Sequence, residues 1–245
     1  MAARKVRVTI LDDHQITVDG YYYRLGNHPE VEIVDSLRFG EELAASLVKH
    51  PTDVLLLDFS FPTSPDNPNA YPILTEIPKL LQVYPNLAVL MISMFAERSI
   101  IRSVMEAGAS GYILKDDSDA IQDLANIILA VADGGIYLSE RAGQRYQKTG
   151  DVAGGNLTRR QLEVLLLCAA FPGSTTAELA QKMCVSNSTV RNLLSGAYLK
   201  LQAHTRAGAL HEARRLGLLT SDAPALSNVE ANRAIAHPPH RPAGH

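Results

Sequence analysis

The 245-residue chain contains no tryptophan, only two cysteines, and no apolar run approaching the ~20 residues that cross a bilayer. Each absence excludes a class of protein. Cys168 and Cys184 lie in helical patterns without metal-ligand spacing, which argues against a disulfide-stapled scaffold and against a zinc module. Two free thiols in a reducing compartment are expected instead. The first ten residues run directly into an alternating strand pattern with no signal-peptide core, so a cytoplasmic protein without membrane attachment is expected. Positive charge is scarce in one half only. Residues 1–140 hold ten Lys and Arg against twenty Asp and Glu, whereas residues 157–220 hold eight against three. An acidic half followed by a basic half suggests that only the second meets a polyanion.

The apolar fraction of 46% is enough for real cores and excludes wholesale disorder. Short β-rich runs occur at Val6–Leu11, Val31–Val34, Val54–Leu57, Ala88–Ile92 and Gly111–Leu114. Helical periodicity separates them: Val18, Tyr21, Tyr22 and Leu25 recur at i, i+3, i+4, i+7, and Ile121, Leu124, Ile127, Ile128 and Val131 do likewise. Parallel strands need crossover connections, so this alternation predicts a doubly wound α/β domain over residues 1–137 with a five-stranded parallel sheet. The runs 54–57 and 88–92 are apolar throughout, as central strands covered on both faces must be. Residues 138–156, with scattered polar groups and four glycines, are expected to be a linker. Residues 157–219 carry helical signals only. Residues 220–245 cannot bury enough apolar surface to offset chain entropy and are expected to be disordered, their histidines included.

In an open parallel sheet, ligands collect beyond the carboxyl ends of the strands. The first strand ends in Asp12-Asp13, the third in Asp58, the fourth in Ser93 and the fifth in Lys115. Taken singly, each has an ordinary reading: Asp12-Asp13 as a helix cap, Asp58 as a loop cap, Lys115 as a solvated charge. Together they place three carboxylates, a hydroxyl and an ammonium on one rim. Crowded carboxylates need a compensating cation, and a hard oxygen-seeking ion such as Mg²⁺ is the natural choice. A carboxylate can act as a nucleophile toward a phosphoryl group, and Asp58, ending a central strand, is the best placed. Lys115 and Ser93 would then steady the transferred group.

The segments Leu-Asp-Asp-His at 11–14, Leu-Leu-Leu-Asp at 55–58 with Phe61-Pro62, Ile-Ser at 92–93 and Gly-Ala-Ser-Gly-Tyr-Ile-Leu-Lys at 108–115 closely resemble the receiver domains of two-component response regulators, over roughly residues 4–135. The resemblance implies a flavodoxin-like fold and phosphorylation of Asp58 by a sensor histidine kinase. It implies Mg²⁺ held by Asp12, Asp13, Asp58 and the backbone carbonyl of Ser60. Ser93 and Tyr112 would form a switch pair, the hydroxyl moving toward the phosphate and the ring following inward. One stretch departs from the family pattern. After Pro62 the family makes a short turn, whereas this chain runs Thr63-Ser-Pro-Asp-Asn-Pro-Asn-Ala-Tyr-Pro72. Proline resists helix interiors, so the next helix is expected to start late, near Ile73, and the long loop to affect kinase docking or phosphate lifetime.

In the helical half, Thr158-Arg-Arg-Gln161 and Thr175-Thr-Ala-Glu178 each read as a capping box. Cys184-Val185 makes a corner, Ser186 can cap a third helix with a buried stripe of Val190, Leu194, Ala197 and Leu201, and a fourth runs from about Arg206 to Leu216. This is a four-helix, all-α helix-turn-helix arrangement. The segments 156–165, 177–180, 185–192 and 199–201 resemble the LuxR/NarL-type output domain, which implies DNA binding, and a dimer on paired half-sites is expected. Ser188, Arg191, Asn192 and Ser195 are expected to face outward, Arg191 and Asn192 as base readers. Lys200 and Arg206 are better placed for phosphates. Two departures weaken the third helix: Leu193 and Ser195 stand where the family often has basic residues, and Gly196 sits mid-helix.

The expected function is a phosphorylation-controlled transcription regulator of the NarL/FixJ type, an enzyme only in supporting its own phosphotransfer and dephosphorylation. Two alternatives stay open: a helical domain that binds protein rather than DNA, and an aspartyl-phosphate phosphotransferase acting on a small molecule. The absence of a cap domain counts against the second.

Overall fold

The computed structural model describes residues 4–146, 157–203 and 205–219. The amino-terminal half is built from β1 (Val6–Leu11), α1 (Gln15–Leu25), β2 (Val31–Leu37), α2 (Glu42–Lys49), β3 (Val54–Leu57), β4 (Pro62–Ser64), β5 (Asn67–Ala70), α3 (Ile73–Val83), β6 (Ala88–Ser93), α4 (Arg98–Glu106), β7 (Gly111–Leu114), α5 (Ser118–Gln122), α6 (Leu124–Ala132), β8 (Tyr137–Leu138) and α7 (Glu140–Tyr146). The main sheet runs β2-β1-β3-β6-β7-β8, and all its pairings are parallel. Side chains alternate across it as the two-residue period requires. Leu55, Leu57, Val89 and Met91 point to the face covered by Leu43, Leu47, Ile77, Leu81, Ile101 and Val104. Val54, Leu56, Leu90 and Ile92 point to the face covered by Val18, Tyr21, Leu25, Ile127 and Ile128.

Two sequence expectations are corrected here. The sheet has six strands rather than five, because β8 pairs beside β7 at Gly111↔Tyr137 and Tyr112↔Leu138. The stretch 138–156, read as linker, begins as structure: Ile136, Leu138 and Ala142 are buried, so β8 and α7 belong to the packed domain. A two-residue strand is too short for periodicity to reveal, and Gly143 masked the helix. The remaining linker residues 147–156 and the tail 220–245, expected to be disordered, lie outside the described residues. The helix after the proline-rich loop does start at Ile73, but the loop is an antiparallel hairpin, β4 with β5.

The second half comprises α8 (Arg159–Ala170), α9 (Thr176–Met183), α10 (Asn187–Lys200) and α11 (Arg206–Arg215). Both capping boxes form: Thr158 with Gln161, and Thr175 with Glu178. Cys184 makes the corner in a left-handed conformation, φ 54°, and the Ser186 hydroxyl accepts from the Thr189 amide to start α10. Gly196 has a local reason: a Cβ there would lie 2.4 Å from Nε2 of Gln161, so α8 and α10 approach closely at this point. The apolar cluster on the Leu55 face continues without a break into Val164, Leu165, Leu179, Val190, Leu194 and Leu210, so the two halves share one packed surface.

Leu56 sits in the middle of β3, between Ile10 and Leu90, and is 1% exposed. Truncation to alanine removes buried apolar atoms and leaves a cavity that a sheet packed on both sides cannot close. Leu56→Ala is therefore expected to lower stability by about 3 kcal/mol, measured by urea unfolding; a loss below about 1 kcal/mol would mean that this strand is not central.

Candidate functional site: a carboxylate and lysine pocket, and a covered helix

Backbone ladder bonds carry the strands one residue past their ends and set the polar rim. The Asp12 amide donates to Leu37 O, the Asp58 amide to Leu11 O and the Lys115 amide to Ser93 O, at 3.1, 3.0 and 2.9 Å. The three side chains converge as a result. Lys115 Nζ donates to Asp12 Oδ2 at 2.8 Å and to Asp58 Oδ2 at 3.0 Å, across more than fifty residues of sequence in each case. Asp12 Oδ1 accepts the His14 amide, and Asp58 Oδ1 accepts the Phe59 amide. Asp12 and Asp58 are almost wholly buried, at 1% and 8% exposure.

Burial pushes the Asp58 carboxyl above the ordinary carboxylate range, while the charge and hydrogen bond of Lys115 pull it back. Burial also works against the Lys115 ammonium, but its hydrogen bond to Asp12 and the charges of Asp58 and Asp12 outweigh that and raise its pKa. The ammonium is thus held charged between the two carboxylates.

One acceptor in this pocket is unmet. Asp13 Oδ1 is buried and accepts no hydrogen bond, although His14 Nδ1 lies 2.9 Å away. One ligand atom from each of Asp12, Asp13, His14 and Asp58 falls within a sphere where all lie within 4.8 Å of one another. Two carboxylates already share one lysine and a third has an orphaned oxygen, so the donor set fits a hard divalent cation. His14 is the member that sequence reasoning quoted only as part of a motif. Tyr21, read as a core residue, is also a neighbour: burial, then the charges of Asp12 and Asp58, push its hydroxyl pKa strongly upward.

Ser60, Asp13, His14, Asp58 and Lys115 line one cavity of about 500 Å³. Ser93 is fully buried, and its hydroxyl accepts the Phe95 amide at 3.2 Å. Tyr112 lies inward. Its ring is fully buried, its hydroxyl donating to Phe95 O at 2.7 Å, and burial pushes its pKa up to about 12.

The outward-facing residues expected on α10 are placed differently. Arg191 and Ser195 are buried, at 3% and 2% exposure, against the first domain. The Arg191 guanidinium donates to Leu87 O at 2.6 Å and to Gly108 O and Pro85 O at 3.4 Å each. Asn192 Nδ2 donates to Glu106 O at 3.1 Å, and Asn187 Nδ2 to Pro85 O. Burial lowers the Arg191 pKa to about 10. Arg206 turns into its own domain, donating to Ser174 O at 2.6 Å rather than facing solvent, and Lys200 is half-buried. The Ser188 side chain is outside what is described. These contacts were illegible in the sequence because they join residues some hundred positions apart through main-chain carbonyls, which carry no sequence signature.

Comparison with known proteins agrees with this architecture. Residues 8–126 match the response regulator receiver domain family, and residues 155–213 match the family of bacterial regulatory proteins of the luxR type. The transcriptional regulatory protein DegU of Brevibacillus brevis is 28% identical over 235 residues, covering 87% of this chain and 94% of DegU. The oxygen regulatory protein NreC of Staphylococcus carnosus is 28% identical over 196 residues, covering 76% of this chain and 86% of NreC. Among solved structures, the RcsB response regulator of Salmonella typhimurium aligns with a TM-score of 0.52 at 25% identity, over 88% of this chain and all of RcsB. An RcsB–DNA complex aligns with the same score at 24% identity, over 89% of this chain and all of RcsB, and shares the fold. The fold and site define a response regulator, a receiver joined to a DNA-binding domain. Together the two matches identify a receiver domain followed by an output domain of the LuxR type.

A cation bound by the acidic pocket favours the folded state by mass action. At a tenfold excess of Mg²⁺ over its Kd, the wild type is expected to gain about 1.4 kcal/mol, and Asp13→Asn to lose most of that gain. Unfolding midpoints with and without Mg²⁺ check this; equal gains in both proteins would show that the ion binds elsewhere.

Proposed function

We propose that this chain is a phosphorylation-gated transcription regulator whose unphosphorylated form hides its own DNA-reading helix. The observation that carries this reading is Arg191, the residue of α10 best suited to reading guanine, held by three carbonyls of the receiver.

Asp58 is the phosphoacceptor. A carboxylate oxygen bonds to the phosphorus of a phosphohistidine on a sensor kinase; the phosphorus–nitrogen bond breaks, and its electron pair returns to the donor imidazole. Asp12, Asp13 and Asp58, with the Ser60 carbonyl, would hold Mg²⁺, which would supply positive charge to neutralise the oxygens of the transferred group. Lys115, now bridging Asp12 and Asp58, pairs with the phosphoryl group, and the Ser93 hydroxyl turns from the Phe95 amide toward it. Ser93 and Tyr112 both hold Phe95, one at its amide and one at its carbonyl, so a shift of Ser93 pulls on the turn that precedes α4. The far end of α4 supplies Glu106 O, and Gly108 O follows, the carbonyls that grip Asn192 and Arg191. The chain thus offers a continuous mechanical connection from Asp58 to α10.

The closed contact is suited to release. Arg191 is a buried cation whose partners are carbonyl dipoles, and none of the ion pairs among the described residues includes it. Desolvating a guanidinium without a carboxylate partner opposes closure, so a differential of a few kcal/mol suffices to shift the population. Once free, Arg191 and Asn192 read bases, and Ser188, Ser195 and Lys200 lie along the same helix. Arg206, bonded inward, acts in fixing the α8–α9 turn rather than on DNA. We infer a homodimer on paired half-sites, since one output domain carries few cations and would bind weakly alone. No described helix is long and apolar enough to cross a membrane.

Phosphorylation of the full-length protein by a small acyl phosphate with Mg²⁺ is expected to raise affinity for genomic fragments selected on it by at least about tenfold. Asp58→Asn should not respond. Ala107→Glu, placed between the two carbonyls that hold Asn192 and Arg191, should bind those fragments without phosphorylation. Equal binding by the two forms of the wild type would refute the closed state. No DNA retained in either form, nor by Ala107→Glu, would favour a protein-binding output domain.

A further inference from the structure

The β4–β5 hairpin is the part of the receiver that the proposed function does not use. It follows Asp58 by four residues and stands at the mouth of the same cavity, which Pro62, Pro68 and Ala70 line together with Met94 and Phe95. It is firmly held. The Gly40 amide donates to Pro62 O at 3.1 Å, the Glu41 amide to Thr63 O at 3.0 Å and the Tyr71 amide to Phe61 O at 3.0 Å. The Tyr71 ring stacks on buried Phe61, centroids 5.7 Å apart. It also lies flat over Gly40, where a Cβ would meet its ring at 2.1 Å; only glycine leaves room for it.

Three of the hairpin's polar contacts run within it. The Thr63 hydroxyl donates to Asn69 O, the Asn67 amide to Ser64 Oγ and the Asn69 amide to Asn67 Oδ1. Pro62 and Pro68 have no amide hydrogen to offer. The wall facing the phosphoacceptor therefore carries no side-chain donor or acceptor. Outside the carboxylate–lysine group, the polar side chains lining the cavity are His14, Thr17 and Ser60, and none of these is on the hairpin.

Hydrolysis of the aspartyl phosphate needs a water whose oxygen bonds to phosphorus while the bond from phosphorus to the Asp58 oxygen breaks. The carboxylate keeps the electron pair, and the water's proton passes to the departing phosphate or to solvent. Such a water must be oriented by hydrogen bonds as it approaches, and an apolar wall supplies none. We infer that the β4–β5 hairpin is a fixed apolar wall that lengthens the life of the phosphoryl group on Asp58, with Pro68 and Ala70 as its positioning residues. This rests on the receiver reading and deepens it: the length of the signal is set by an element separate from the residues that accept the phosphate.

The test follows decay of the phosphorylated full-length protein by intact mass, after loading with acetyl phosphate and Mg²⁺ and removal of the donor. Replacing residues 64–69 by two glycines is expected to shorten the half-life roughly tenfold, and Ala70→Asn by at least about threefold. Ala70→Val should keep the wild-type half-life, a rescue that a merely structural role does not explain for a residue on an exposed hairpin. The extent of loading should be the same in all four proteins. Equal half-lives, or a longer one in Ala70→Asn, would overturn the inference while leaving the receiver intact. A wild type that takes up no phosphoryl group would sink the receiver reading, and this inference with it.

Discussion

One half-buried ammonium between two buried carboxylates organises this molecule. Without Lys115, the ends of β1 and β3 would bring Asp12 and Asp58 together in a place that neither tolerates charged and alone. With it, the sheet can close on an acidic centre, and three strand ends stay in register around one point. The same arrangement is unfinished, since Asp13 keeps an unmet oxygen and Lys115 is shared. In the proposed function a cation and a phosphoryl group would complete it, and completing it would redistribute the lysine. Chemistry and signal thus follow from one electrostatic constraint.

That constraint reaches the output domain through rigid parts. Phe95 is held at its amide by Ser93 and at its carbonyl by Tyr112, with its ring edge-on to Phe59 at 5.3 Å. Beyond it, α4 is anchored in the core by Ile101, Val104 and Met105, all essentially unexposed. A helix packed in this way moves as a body, and its last carbonyl, of Glu106, holds Asn192, while Gly108 O just beyond it and Leu87 O and Pro85 O before β6 hold Arg191. These polar contacts use backbone acceptors, which makes them sensitive to the position of the main chain around α4 and before β6 rather than to the identity of side chains there.

Much of this was readable beforehand. The alternation of apolar strands and amphipathic helices predicts the sheet, because central strands buried on both faces admit few other patterns. Asp12, Asp13, Asp58 and Lys115 converge because strand ends in a parallel sheet must lie on one rim. The capping boxes at Thr158 and Thr175 mark helix starts since each satisfies amides that would otherwise be orphaned. What escaped has equally physical reasons. β8 is two residues long, and the hairpin is built from Asn and Pro that normally signal loops. Tyr112 stands inward because the core accommodates it, which spacing does not report. The capture of Arg191 was hidden most completely: a residue judged outward from its position on a helix is inward once a second domain covers that face.

The linkage of the acidic pocket to α10 is tested most directly by hydrogen exchange on the full-length protein before and after phosphorylation with Mg²⁺. Faster exchange is expected across residues 187–200 together with residues 106–110, while the core of β3 stays protected. Unchanged exchange in both segments, in protein shown by mass to carry the phosphoryl group, would mean that Asp58 does not control the covered helix.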